Sequence, residues 1–227
     1  MNIAIITARG GSKRIPRKNI KPFCGQPIIC YSVKAAVESG LFDEIMVSTD
    51  DGEIAVIARN AGASVPFMRS GQNSNDYATT ADVLKEVLER YAELGRHFQY
   101  ACCLYPTAPF VTPSKLRSCF QQMLESGAES ALPVVRYSFP PQRAFVVRGG
   151  KVQYQYPEYA LTRSQDLEPI YHDSGQFYFF TVDRFLRENA IIGSGAYPFI
   201  VPEEEVQDID TLSDWKIAEM KFKLSAY

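Results

Sequence analysis

Between Arg9 and Lys21 the chain carries Arg9, Lys13, Arg14, Arg17, Lys18 and Lys21, six of its 24 Lys and Arg, with no acidic residue among them. Two glycines and a serine lead this run, "ARGGSKRIPRKN", which follows a short apolar stretch. Glycines let the backbone approach a ligand closely, and exposed N–H groups in such a turn form an anion-binding nest. Arg9, Lys13 and Lys18 add the charge that a polyphosphate requires. A solvated basic loop is the plainer alternative, but a position just after the first strand of an open α/β sheet favours phosphate. The run contains neither G-x-x-x-x-G-K-[ST] nor G-x-G-x-x-G, which excludes a P-loop and a dinucleotide fingerprint.

A second constellation lies near the other end. "VQDIDT" sets Asp208 and Asp210 two residues apart, and in an extended segment such residues point the same way. Two hard oxygen donors on one face suit Mg²⁺, which takes one or two carboxylates together with phosphates and water. Equally open is a reading in which Asp210 or Thr211 caps the last helix and Asp208 is a surface residue. Glu203, Glu204 and Glu205 read as a solvated turn.

These groups must be positioned by a fold of 227 residues, enough for one domain with a sizeable core. A net charge of -2 gives no long-range attraction to nucleic acid. "MNIAIITARGG" has no positive n-region and is too short for a signal peptide, and no stretch approaches the roughly 20 apolar residues of a membrane span. Five cysteines without C-x-x-C spacing point to reduced thiols and a cytoplasmic setting. Cys102 and Cys103, adjacent on a strand, should face opposite ways.

Strand-like runs alternate with helical periodicity: strands at 2–6, 44–49, 64–67, 100–105 and 129–135, and helices from Pro27 to Gly40, through "DGEIAVIARNAG", over 79–95 and over 112–127. The rhythm predicts an α/β fold, a Rossmann-like, mostly parallel sheet flanked by helices. It breaks at 136–172, where Pro140, Pro141 and the hairpin-like "AFVVRGGKVQYQYP" mark an excursion from a single domain spanning 1–227. It resumes with strands at 175–181 and 197–201 and a last helix from Thr211.

The basic run resembles the signature A-R-x-x-S-K followed by K-N of the nonulosonic acid cytidylyltransferases, the family of CMP-sialic acid synthetases. "LYPTAPF" (104–110), "LTRSQDL" (161–167), "IYHDSGQFY" (170–178) and "VQDIDTLSDW" (206–215) extend the likeness over nearly the whole chain. "CCLY", "TRSQDL" and "YHDSGQFY" are most similar to the branch acting on pseudaminic acid. Sialic-acid enzymes carry Gln where Tyr105 stands.

The resemblance implies a GT-A-like nucleotidyltransferase fold and transfer of CMP from CTP to the anomeric hydroxyl of a nonulosonic acid, with Mg²⁺ held by Asp208 and Asp210. It implies nucleotide contacts from Ala8, Arg9, Gly10, Gly11, Ser12 and Lys13, from Lys18 and Asn19, and from Arg69, Thr79 and Thr80 around cytosine and ribose. Arg9, Lys13, Lys18, Asp208 and Asp210 are then the catalytic set. Sugar contacts fall to Tyr105, Arg163, His172 and Gln176, with Arg163 supplied by the neighbouring subunit of a homodimer built on the excursion. A surface salt bridge for Arg69 and helix capping for the Thr pair are the structural alternatives. Other nonulosonic acids or the eight-carbon sugar of lipopolysaccharide, a hexose-1-phosphate nucleotidyltransferase and a non-catalytic CTP-binding module are competing functions. The last of these needs no carboxylate pair.

Overall fold

The computed structural model describes residues 1–224. In chain order it comprises β1 (Asn2–Thr7), β2 (Pro22–Phe23), β3 (Gln26–Pro27), α1 (Ile29–Ser39), β4 (Glu44–Ser48), α2 (Gly52–Asn60) and α3 (Thr80–Glu93). β5 (Tyr100–Leu104), α4 (Pro113–Ser126), β6 (Ser130–Arg136), β7 (Phe145–Arg148) and β8 (Lys151–Tyr154) follow. The chain then adds β9 (Tyr171–Asp173), β10 (Phe177–Thr181), α5 (Val182–Glu188), β11 (Tyr197–Ile200) and α6 (Leu212–Leu224). No described helix is long and apolar enough to cross a membrane.

The central sheet runs β11-β6-β10-β5-β1-β4, with β9 also paired to β6. β4, β1 and β5 are mutually parallel, as are β6 and β11, while β10 runs antiparallel to both neighbours. One face of the sheet packs α1, α2 and α4, through residues such as Ile29, Ala55 and Leu116. The other packs α3 and α5, through Leu84, Val87 and Phe185. Cys102 and Cys103 fall one on each face, as the period of two requires. All five cysteines are free thiols.

Two sequence readings need correction. The segment 64–67 makes only an isolated parallel bridge, Met46 to Ser64, because Pro66 has no N–H with which to extend the ladder. Pro27 does not open a helix; it pairs with Pro22 in the β2–β3 hairpin, turned by Cys24 and Gly25 at φ 42° and 101°. Two successive positive φ values are the mark of a tight hairpin turn, and the helix starts only at Ile29.

That hairpin matters for the site. Phe23 and Ile28 join Ile15 of the basic loop, Phe110, Ile209, Trp215 and Ala218 in a separate apolar cluster. Ile15 and Ile209 are each 1% exposed, and burying an aliphatic side chain of this size stabilises by about 1.5–3 kcal/mol. This cluster fastens the segment before α6 onto the first loop.

The excursion leaves β6 at Arg136 and re-enters at Tyr171, and these two residues are direct partners in the antiparallel β6–β9 pair. Between them β7 and β8 form a two-stranded sheet of their own.

Candidate active site

The basic loop, Ser48–Asp51 and Tyr105 all follow the carboxyl ends of β1, β4 and β5, the crevice edge where open α/β sheets bind ligands. A cavity of about 410 Å³ there is lined by Thr7, Arg9, Ser12, Lys13, Arg14, Ile15, Lys18, Asn19 and Tyr105–Thr107. A second, of about 260 Å³, shares Thr7 and Arg9 and adds Arg69, Asn73, Asn75, Asp76, Ala78, Thr79, Thr80 and Val83. Thr7 and Arg9 stand on the walls of both.

The loop's shape comes from contacts outside it. The Gly10 N–H donates to Asp50 Oδ1 at 2.8 Å, Ala8 N–H to Ser48 O at 2.9 Å, and Ser12 N–H to Gly10 O at 3.0 Å. Two amides of the expected nest, those of Gly10 and Ser12, are thus taken by the protein itself. Asn19, buried, donates from Nδ2 to Arg9 O at 2.9 Å. Arg17 sits in the left-handed region at φ 57° and forks onto Asp51 and Glu53 of the α2 N-terminus.

Asp210, 196 residues from Arg14, accepts from its Nη1 at 2.7 Å. Lys18 Nζ lies 3.6 Å from Asp210 Oδ1 and donates to Ile209 O at 2.7 Å. Thr211 and Asp214 cap α6 reciprocally: Asp214 N–H donates to Thr211 Oγ1, and Thr211 N–H to Asp214 Oδ2 at 2.7 Å. The cap is thus Thr211, and the Asp210 carboxylate is left to face the cations. Between Val206 and Asp210 the chain has no regular secondary structure; Val206 and Ile209 are buried, Asp208 is exposed and Asp210 is half-buried.

These donors fit Mg²⁺. Both are hard oxygen donors of the kind Mg²⁺ takes together with phosphate and water; among the described residues no group of three or more His, Cys, Asp or Glu could hold an ion by itself.

Among the described residues Arg69 forms no surface salt bridge. It is buried, donating from Nε to Ser48 Oγ at 3.0 Å and from Nη2 to Ser48 O at 2.5 Å. Burial pushes its pKa down from 12.5, and among the described residues Nη1 has no hydrogen-bond partner, while Arg69 lines the smaller cavity. Thr79 Oγ1 accepts from Asp82 N–H at 3.2 Å in a capping box that starts α3. Capping and a place on the cavity wall coexist there.

The sugar candidates are scattered. Tyr105 lines the larger cavity, its ring edge-on to Tyr178 at 5.5 Å, and Tyr178 Oη donates to Asp173 Oδ2 at 2.7 Å. Gln176 lines neither cavity. It is buried, donating from Nε2 to Glu205 O at 2.7 Å while its backbone carbonyl accepts from Tyr105 N–H at 2.9 Å. His172 packs on Tyr137 at 4.7 Å and holds Nδ1 2.8 Å from Asp173 O. Arg163, on the excursion, pairs with Asp166 at 2.7 Å. Glu205, which sequence left without a role, holds Lys115 at 2.6 Å.

Sequence reasoning did not single out Arg14, Asp50, Asp51 or Asp76. Arg14 lay inside the quoted basic run and Asp51 opens the helical stretch "DGEIAVIARNAG" as the N-cap of α2, but Asp50 and Asp76 sit in polar loops with no periodicity to mark them.

A family profile described as Cytidylyltransferase matches residues 3–216. The chain is 38% identical to pseudaminic acid cytidylyltransferase of Campylobacter jejuni subsp. jejuni serotype O:2, over 99% of this chain and 97% of that one. It is 32% identical to CMP-N,N'-diacetyllegionaminic acid synthase of Legionella pneumophila subsp. pneumophila, over 98% and 97%. Among solved structures, CMP:2-keto-3-deoxy-manno-octonic acid synthetase complexed with CTP superposes with a TM-score of 0.72 at 18% identity, covering 99% of both chains.

Proposed function

The chain belongs to the cytidylyltransferase family, and we propose that it couples CTP to a nonulosonic acid, pseudaminic acid, giving the CMP-sugar and pyrophosphate. The observation that carries this reading is the meeting of Arg9, Lys13 and Lys18 on one cavity that shares Thr7 and Arg9 with the Arg69–Thr79 pocket, while Asp210 pairs with Arg14 and Lys18 on its wall. The 38% identity over both full lengths to a pseudaminic acid cytidylyltransferase supports the sugar.

In this reading Arg69 Nη1 and the Thr79–Thr80 turn hold cytosine and ribose, while Lys18 and Asn19 flank the α-phosphate. Arg9 and Lys13 take the β and γ phosphates. The anomeric oxygen attacks the α-phosphorus; the new P–O bond forms as the bond to the β-phosphate oxygen breaks, and pyrophosphate leaves with that electron pair. The hydroxyl proton passes to solvent or to a bound base. Positioning and charge neutralisation supply most of such catalysis. Mg²⁺ bound by Asp208 and Asp210 would screen phosphate charge and acidify an oxygen bound to it.

Two copies associate through the excursion, where Phe139, Val147 and Leu161 are 87%, 72% and 99% exposed in one chain. Solvent-facing apolar side chains at this density mark an interaction surface, and Arg163 then serves the second copy's sugar, its guanidinium fork matching a carboxylate. Free cysteines support a cytoplasmic setting.

The test is pyrophosphate release from CTP and Mg²⁺ with pseudaminic, legionaminic and N-acetylneuraminic acids and the eight-carbon acid in parallel. Turnover should be fastest with pseudaminic acid. Absence of release with all four rejects the reaction, and a faster competitor reassigns the sugar.

A further inference from the structure

Five of the six cations of the first loop are held by acids from distant elements. Arg14 and Lys18 meet Asp210, and Arg17 meets Asp51 and Glu53. Arg9 donates from Nη1 to Asp76 Oδ1 at 2.9 Å, and Lys13 Nζ to Asp76 Oδ2. Asp76 differs from the other acids. Asp51 is built into a helix cap, whereas Asp76 stands at the tip of a loop and grips the two cations that the proposed reaction assigns to the departing phosphates.

The loop is built so that this tip is separable from its feet. Glu86 of α3 accepts from Ser70 N–H and Ser70 Oγ, each at 2.8 Å, and from Asn73 Nδ2. At the other foot the Thr79–Asp82 box starts α3. Between the feet, Asn75 Oδ1 accepts from the N–H groups of Tyr77 and Ala78 at 2.7 and 2.9 Å. Among the described residues, the hydrogen bonds from 74–78 to anything outside 70–82 are those with Arg9 and Lys13, including Arg9 Nη1 to Asn75 O at 3.3 Å.

We propose that Asp76 is a placeholder for the polyphosphate: its carboxylate occupies the Arg9–Lys13 fork until the β and γ phosphates of CTP displace it, and it returns as pyrophosphate departs. This inference rests on the assignment of Arg9 and Lys13 to those phosphates. One carboxylate carries a single charge and two acceptor oxygens, whereas a terminal pyrophosphoryl group offers more of both, so the phosphates win the fork while CTP is bound. The competing carboxylate then lowers the affinity for pyrophosphate and assists its release. If Asp76 instead oriented the two cations and stayed, removing it would weaken phosphate binding; the two roles predict opposite signs.

The experiment measures binding of inorganic tripolyphosphate by calorimetry, and inhibition by pyrophosphate against CTP, in the wild type, Asp76→Asn, Asp76→Ala and Asp76→Glu. For Asn and Ala both constants should tighten by about three- to tenfold at low salt, the scale of exposed ion pairs, and the gain should shrink as ionic strength rises. Asp76→Glu, which keeps the charge, should bind like the wild type. Unchanged or weaker binding in Asn and Ala overturns the proposal. Lys13→Met in the wild-type background separates the two levels of inference. If it leaves tripolyphosphate affinity intact, the phosphate assignment itself falls; if it weakens affinity while Asp76→Asn does not tighten it, only the placeholder falls.

Discussion

Gly10 and Asp51 are packed so closely that a β-carbon on Gly10 would stand 2.8 Å from Asp51 Oδ2 and 3.0 Å from Asp51 Cβ. Asp51 cannot swing away without cost, because its Oδ1 accepts from the Glu53 and Ile54 N–H groups at 2.9 and 3.1 Å and its Oδ2 from Arg17 at 2.5 Å. Gly10→Ala should therefore displace either the loop or the cap of α2. The expected destabilisation is about 1–3 kcal/mol, the range for overpacking, together with a raised KM for CTP. Thermal melts and CTP-dependent kinetics check both, and a variant that behaves as the wild type would refute the fixed fit.

The same aspartate predicts a pH dependence. The Arg17 guanidinium holds the Asp51 carboxyl below its ordinary 3.8. A depressed carboxyl contributes stability above its unfolded pKa and loses it as pH falls through the folded value. Asp51→Asn should thus be less stable than the wild type at pH 7 and lose less of its remaining stability on acidification from pH 4 downward. Denaturant melts at stepped pH values give the two slopes, and parallel slopes would count against the pairing.

Asp210→Ala should lower kcat on the order of 100-fold, the scale for removing one transition-state contact, with a larger deficit when Mg²⁺ is limiting. Titrating Mg²⁺ against turnover measures it. Unchanged turnover at limiting Mg²⁺ would remove the metal role.

Arg69→Lys should raise the KM for CTP by about tenfold or more, since an ammonium cannot reproduce the Nε and Nη2 bonds to Ser48 while presenting a further donor. Comparing CTP with UTP adds a specificity readout, because a base-reading residue changes that ratio and a merely structural one does not.

Ile209→Ala removes a buried side chain from the cluster shared with Ile15 and Trp215, at an expected cost of about 2–5 kcal/mol. Because Ile209 seats the neighbouring Asp210, kcat should fall further than that of a surface control with equal loss of stability. Chemical denaturation and kinetics on the same preparation compare the two.

What sequence could disclose follows from range. The strand period put Cys102 and Cys103 on opposite faces, and the charge run from Arg9 to Lys21 pointed to the loop whose Arg9, Lys13, Arg14 and Lys18 line a cavity. Helical signals located Thr79 as a cap and narrowed the cap of α6 to Asp210 or Thr211, of which the structure uses Thr211. The inversion of β10 was not legible, because "FYFF" is buried on both faces and carries no sign of direction. Nor was the Arg14–Asp210 contact, which depends on a tertiary cluster rather than on spacing. Asp76 escaped notice because a polar loop has no pattern from which a partner 67 residues away can be read.

The pairing of Arg136 with Tyr171 has a consequence for how this scaffold accommodates change. Because the two feet of the excursion are stitched together by the main sheet, everything between them hangs from a closed clasp. Insertions, deletions or an exchanged segment there leave strand register in the core untouched, so this part of the chain can diversify as a cassette while the sheet stays fixed.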